Sequence, residues 1–207
     1  MAQKIQLPLG LHTDWLVTGH ANEIVSFLPT DNDKDFQVLV ASPMSARIIL
    51  KGLADKGLVN AIMFSGVERA DYKDLPGTYR KAEISIGNLL QDRDFWNANQ
   101  TYQRYMNNNI QRLRDEIELE DKHIANVPVL FHSPLKSGRT TTYFPNMINY
   151  HLAKDGKLIV PQPKGPIVNR QCAFETALLR AVCSHKVVFT EDDNSRHKQR
   201  GKISLWA

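Results

Sequence analysis

The feature that most constrains this fold is a helical stripe within residues 92–119. Phe95, Tyr102, Met106, Ile110, Leu113 and Ile117 recur at spacings of seven, four, four, three and four. Those spacings put all six side chains on one face of a long helix, where an apolar face packs against a core. Around that helix lie short runs rich in β-branched and aromatic residues at 14–18, 23–28, 36–41, 61–64, 127–131, 140–144, 157–160 and 186–190. Each reads as a strand bounded by polar or glycine-containing turns. Ser42-Pro43 opens a further helix, because serine caps well and proline suits the first helical position. That helix carries Ile48, Ile49 and Leu53 and stops at Gly57. A last short helix is predicted over 175–184. The proline-rich run Pro161-Gln-Pro163-Lys-Gly165-Pro166 is a rigid loop that no sheet interior would tolerate. The pattern is mixed α/β, with hairpins and helices interspersed.

A chain of 207 residues with 42% hydrophobic and 23% charged content has a core to bury. No apolar run reaches the roughly 18 residues of a membrane-spanning helix, and the start lacks a secretory apolar region, so no membrane role is expected. Cys172 and Cys183 are too few for a disulfide framework or a cysteine zinc site; both read as small core residues of a cytoplasmic protein. The net charge is only +4, and its densest basic stretch, 196–202, reads as a solvated tail. It has no interleaved aromatics, so no nucleic-acid function is expected. No glycine-rich phosphate loop follows a strand.

The segment Trp15-Leu-Val-Thr-Gly-His20-Ala-Asn22-Glu23 sets a histidine just after a glycine at an apolar strand end. It resembles the Gly-His-x-Asp-Glu segment of the protein-arginine deiminases, members of the guanidine-modifying superfamily. Phe36-Gln-Val-Leu-Val-Ala-Ser-Pro43, Tyr143-Phe-Pro-Asn146-Met-Ile-Asn149 and Pro161-Gln-Pro-Lys-Gly-Pro166 are similar to further family segments, in family order across about residues 13–202. The resemblance implies a pentein-like α/β propeller built from pseudo-fivefold modules. The whole chain, 1–207, would be a single partial domain matching roughly the second half of the family's catalytic domain, with 203–207 a divergent end. The first half, which would carry the other substrate carboxylate and most calcium ligands, has no counterpart here.

In the family, a calcium-dependent hydrolysis of peptidyl-arginine to peptidyl-citrulline and ammonia uses a cysteine, a histidine and two aspartates. A thiolate attacks because the resonance-stabilised guanidinium is a poor electrophile toward water. Carboxylates hold the fork of N–H donors, and the histidine shuttles protons. His20 stands at the family's general acid/base position. Asn22 stands at an aspartate position and brings no charge. Glu23 is a carboxylate next door, but successive residues of an extended strand point oppositely, so it is a poor substitute. Matching the C-terminal segment puts Ser204 and Leu205 at the family's His-Cys positions, so no nucleophile is present. The divergence after Gly201 fits either a genuine loss or a truncated or misread gene end.

The resemblance therefore implies an inactive family member. Two other readings stand beside it: a subunit completed by a companion chain, and a binding module for arginine-rich proteins without chemistry. In either case arginine-containing proteins are the expected ligands.

Overall fold

The computed structural model describes residues 9–66, 83–133, 138–182 and 184–190. Cys183, the basic stretch 196–202 and the Ser204-Leu205 pair lie outside the described residues. The first strand is β1, Val25–Pro29, followed by β2, Phe36–Ser42. They pair antiparallel from Val25↔Val40 to Pro29↔Phe36. Ser42 then caps α1, Pro43–Ala54, its Oγ accepting the Ser45 N–H at 3.1 Å. The expected serine cap and first-turn proline are both present.

After α1 the chain turns at Gly57, whose φ of +85° a side chain would disfavour. A short ribbon follows, β3 at Ile62–Met63 and β4 at Ile84–Ser85. Next come α2, Ile86–Gln91, and α3, Arg93–Ile117. Asp92 caps α3 by accepting the Phe95 N–H at 2.9 Å. The chain returns as β5, Ile124–Pro128, parallel to β2 from Val38↔Ile124 to Ser42↔Pro128. A parallel pair needs a long crossover, and α1, α2 and α3 supply it.

The second half repeats the theme on a smaller scale. Two ribbon strands, β6 (Phe131–His132) and β7 (Thr141–Thr142), pair antiparallel. Then come β8 (His151–Leu152), β9 (Leu158–Pro161), β10 (Ile167–Val168), β11 (Gln171–Cys172), α4 (Ala173–Ala181) and β12 (Val187–Thr190). β9 lies between β8, antiparallel, and β12, parallel. The molecule is thus mixed α/β, with two mixed three-stranded sheets and three two-stranded ribbons among the described residues. No described helix is long and apolar enough to cross a membrane.

Several expected elements changed. Residues 14–18 form no strand: Leu16 makes a single parallel bridge to Thr140, so pairing stops after one residue. β1 starts at Val25, because residues Ala21–Glu23 wind into a 3-10 turn. The run expected at 127–131 is divided between β5 and β6. Pro128, without an N–H, ends the β5 ladder there. The run expected at 140–144 keeps only Thr141–Thr142 in ladder pairing. The last helix starts earlier than expected, at Ala173, and ends at Ala181. Pro161 sits not in the loop but at the end of β9, opposite Thr190.

The core explains the central position of β2. Val38, Leu39, Val40 and Ala41 are all buried, as befits a strand covered on both faces. On α1, Ala46 and Leu50 face inward while Ile48 is 72% exposed, so the buried stripe is shifted from the apolar residues that first mark the helix. On α3, Tyr102, Met106 and Leu113 lie on the buried face as expected. Trp96, Asn99 and Asn109 share that face, whereas Phe95, Ile110 and Ile117 are only partly buried at its margin. Trp15 stacks on Tyr102 at 5.0 Å and 11°, and meets Phe131 edge-on at 5.1 Å.

Candidate functional site

The histidine loop is built by local bonds before any distant contact is counted. Gly19 adopts φ +73°, a conformation available to glycine at little cost. Its carbonyl accepts the Thr13 hydroxyl at 2.8 Å. The 3-10 turn is closed by Glu23 N–H to His20 O at 3.2 Å and Ile24 N–H to Ala21 O at 3.0 Å. Glu23 is the buried end of that turn. Its Oε1 accepts the His20 N–H at 3.1 Å and also the Thr18 hydroxyl. The turn, rather than strand alternation, is what directs Glu23 inward. The strand alternation expected to turn Glu23 away from Asn22 is therefore absent, and the Glu23 carboxylate is engaged within the turn itself.

Three ties from the third family-like segment and the residue after it then hold the loop and the start of β1. Asn146, 3% exposed, donates its Nδ2–H to the Glu23 carbonyl at 2.7 Å and accepts the Ile148 N–H at 3.0 Å. Ser26 donates its hydroxyl to the Ile148 carbonyl at 3.1 Å, and Tyr150 donates to the Phe27 carbonyl at 2.8 Å. Burial pushes the Tyr150 hydroxyl above its ordinary range, and a Ser26 hydrogen bond partly opposes the shift. On the other side of the loop, Thr140 N–H donates to Trp15 O and Val17 N–H to Thr140 O, both at 2.8 Å. The result is a loop with His20 exposed and Asn22 half-buried, two positions apart on a braced turn.

Cys172 is elsewhere, buried at the end of β11 where α4 begins. Desolvation pushes its thiol up, although backbone N–H groups from the start of α4 and from Gly165 act in the opposite direction. A thiol so held is protonated and shielded at neutral pH, the reverse of an activated nucleophile. The fourth family-like segment packs over it. A Cβ added to Gly165 would lie 2.7 Å from Phe174 Cδ2 and 3.1 Å from Cys172 Sγ. Lys164 O accepts the Phe64 N–H at 2.6 Å, and Phe64 stacks on Phe144 at 4.8 Å. This segment serves packing. Glu175, on the first turn of α4, is also pushed up by burial, with Gln162 opposing the shift.

Among the described residues, no three or more His, Cys, Asp or Glu side chains converge as a metal centre requires. His123, fully buried, is a structural histidine that sequence reading did not single out. Its Nδ1 accepts the Glu120 N–H at 3.0 Å, so the ring hydrogen sits on Nε2 and is donated to Asp33 Oδ1 at 2.9 Å. Sequence spacing offered no signal for the ties made by Glu23, Asn146 or His123.

The protein-arginine deiminase family model matches residues 1–207. Human protein-arginine deiminase type-1 is 32% identical over 206 residues, covering 98% of this chain and 29% of that protein. Human protein-arginine deiminase type-4 is 32% identical over 209 residues, with the same two coverages of 98% and 29%. Mouse inactive protein-arginine deiminase type-6 is 31% identical over 188 residues, covering 84% of this chain and 27% of that protein. The chain spans 29% of the length of the first of these relatives. A match running the full length of the chain, together with the ordered motifs braced around His20, means that this chain belongs to the protein-arginine deiminase family.

Proposed function

We propose that this chain is a non-catalytic protein-arginine deiminase-like domain, a portion of a pentein-like propeller that keeps the wall of a guanidine site without its chemistry. The observation that carries the reading is Asn22, half-buried beside His20 at the position the resemblance assigns to a carboxylate. Guanidinium hydrolysis requires negative charge along the fork of donors, and an amide supplies one acceptor and no charge. Losing a charge-assisted partner of that kind weakens binding by about 2–5 kcal/mol. Glu23 is no replacement, since its carboxylate is already engaged by Thr18 and by the His20 N–H. The nucleophile position falls on Leu205, which has no chemistry to offer. Cys172 is buried and its thiol is pushed up. One relative carries the designation inactive in its name, so a non-catalytic member has a parallel in the family.

The test is citrulline release from an arginine peptide by the 207-residue chain, with and without calcium. No turnover above the buffer rate is expected in either condition. Turnover abolished by His20→Ala would overturn the reading.

A second reading, that another chain completes the domain, is favoured by the outer face of the β8-β9-β12 sheet. Ile159 and Val188 are paired across β9 and β12 and are 36% and 40% exposed, so one face presents adjacent apolar side chains. Light scattering over a concentration series tests this reading, and a monomer at every concentration with no captured companion would count against it.

A further inference from the structure

We propose that the Gly19–Glu23 loop takes a neutral ureido group, the side-chain end of a peptidyl-citrulline, in preference to a guanidinium. This assignment rests on the non-catalytic reading above and extends it from a loss of chemistry to a change of ligand class.

The inference starts from donor and acceptor counting. A guanidinium presents only N–H donors and a positive charge, so two acceptors with negative charge suit it. The Asn22 amide presents one acceptor, Oδ1, and one donor group, Nδ2. Facing a guanidinium, the Nδ2 hydrogens would meet other hydrogens, and no charge would offset the cation. A ureido group instead presents a carbonyl acceptor beside an NH₂ donor. Oδ1 can accept from that NH₂ while Nδ2 donates to that carbonyl, a closed two-bond pair between neutral groups. Rotation of the Asn amide by a half-turn lets either edge of the ureido group be met.

The molecule contains the same kind of pairing twice. Asn99 donates Nδ2–H to Phe131 O at 2.9 Å and accepts the Phe131 N–H at 3.0 Å. Asn109 accepts the His12 N–H at 2.8 Å and donates to His12 O at 3.0 Å. In both, an asparagine amide closes on a neutral donor–acceptor pair. At Asn22 no described residue occupies the amide in this way. The half-buried position of Asn22 gives such a pair partial shelter from water, and the braced turn keeps it in place. His20 is exposed two positions away. Glu23, the carboxylate within the segment, is turned inward onto Thr18 and the His20 N–H, so it does not restore affinity for a cation. The net charge of +4 also favours a neutral ligand over a cationic one.

The experiment is calorimetry of the full 207-residue chain with two peptides identical except for one residue, citrulline or arginine. The citrulline peptide is expected to bind at least about tenfold more tightly, since a site matched to hydrogen-bonding groups rejects an analogue that leaves them mismatched. Asn22→Asp is expected to reverse the order, and Asn22→Ala to abolish the preference. Circular dichroism and thermal midpoints identify any variant that fails to fold. If Asn22→Asp does so, Asn22→Ala carries the test. No binding of the citrulline peptide, a wild-type preference for arginine, or a preference unchanged in Asn22→Ala would each overturn the assignment. The same mixtures are assayed for ammonia. Ammonia release would overturn the non-catalytic reading itself, whereas absent binding without release overturns the ligand assignment alone.

Discussion

The carbonyl of Glu23 and the side-chain amide of Asn146, 123 residues apart in sequence, meet at 2.7 Å in the interior. This bond joins two segments that sequence comparison treats as separate motifs. Glu23 works at both ends: its carboxylate holds the start of the turn through the His20 N–H, and its carbonyl anchors the turn to the Asn146 loop. The geometry around His20 is therefore a property of both segments together.

Removing the Asn146 amide should loosen that joint. Asn146→Ala leaves the buried Glu23 carbonyl and the Ile148 N–H unpaired. One such group costs about 1–3 kcal/mol, so a loss of about 2–4 kcal/mol is expected in urea unfolding. Amide exchange at His20 should also accelerate. Asn146→Asp should be at least as harmful, because it turns a donor into an acceptor facing the Glu23 carbonyl.

Asn99 offers a parallel test in the core of α3. Its amide satisfies both the N–H and the C=O of Phe131, and it is fully buried. Asn99→Leu should destabilise by about 2–4 kcal/mol despite its greater hydrophobicity, since both backbone groups lose their partner. An unchanged urea midpoint would show that water replaces the amide there.

Stability in acid should carry the signature of Asp33. Hydrogen bonds from His123 first, then from Lys122, lower its carboxyl from 3.8 to about 2. A carboxyl depressed in the folded state contributes stability above its unfolded value and loses it as pH falls through the folded one. The advantage of wild type over Asp33→Asn should thus be present above about pH 4, shrink below it and vanish near pH 2. Urea midpoints measured across that range check the trend; a constant difference would refute it.

Two glycines should respond oppositely to alanine. At Gly165 the new Cβ would lie 2.7 Å from Phe174 Cδ2, within a packed aromatic cluster, so a loss of about 1–3 kcal/mol is expected. At Gly52, inside α1, a Cβ meets nothing within 4 Å, so alanine should stabilise by about 0.5–1 kcal/mol. Thermal midpoints of the two variants should move in opposite directions.

Much of the scaffold was legible from local pattern. The long stripe ending at Ile117 predicted α3, and the Ser42-Pro43 pair predicted the start of α1, because capping and periodicity act over a few residues. The strand at residues 14–18 was not legible in the same way. Its apolar residues are real, and Trp15 and Leu16 are buried, but burial comes from packing on α3 and β6 rather than from a ladder. A short apolar run carries no information about whether a partner strand extends beside it. The candidate site divided likewise. His20 and Asn22 stood out by their order after Gly19, whereas the inward turn of Glu23 was not legible, because a 3-10 turn and an extended strand point its side chain in different directions.

By itself the sequence determined the family, the mixed α/β composition, the long helix and the absence of a carboxylate at position 22, all of which depend on residue identity, order and short-range spacing. Only the tertiary structure decided that the Glu23 carbonyl is tied to Asn146, that Asn99 and Asn109 are buried against Phe131 and His12, and that His123 binds Asp33. Their partners lie 123, 32, 97 and 90 residues away, beyond any local periodicity. A buried polar group must find its hydrogen bond wherever the fold brings one within reach, and that partner is chosen by packing in space.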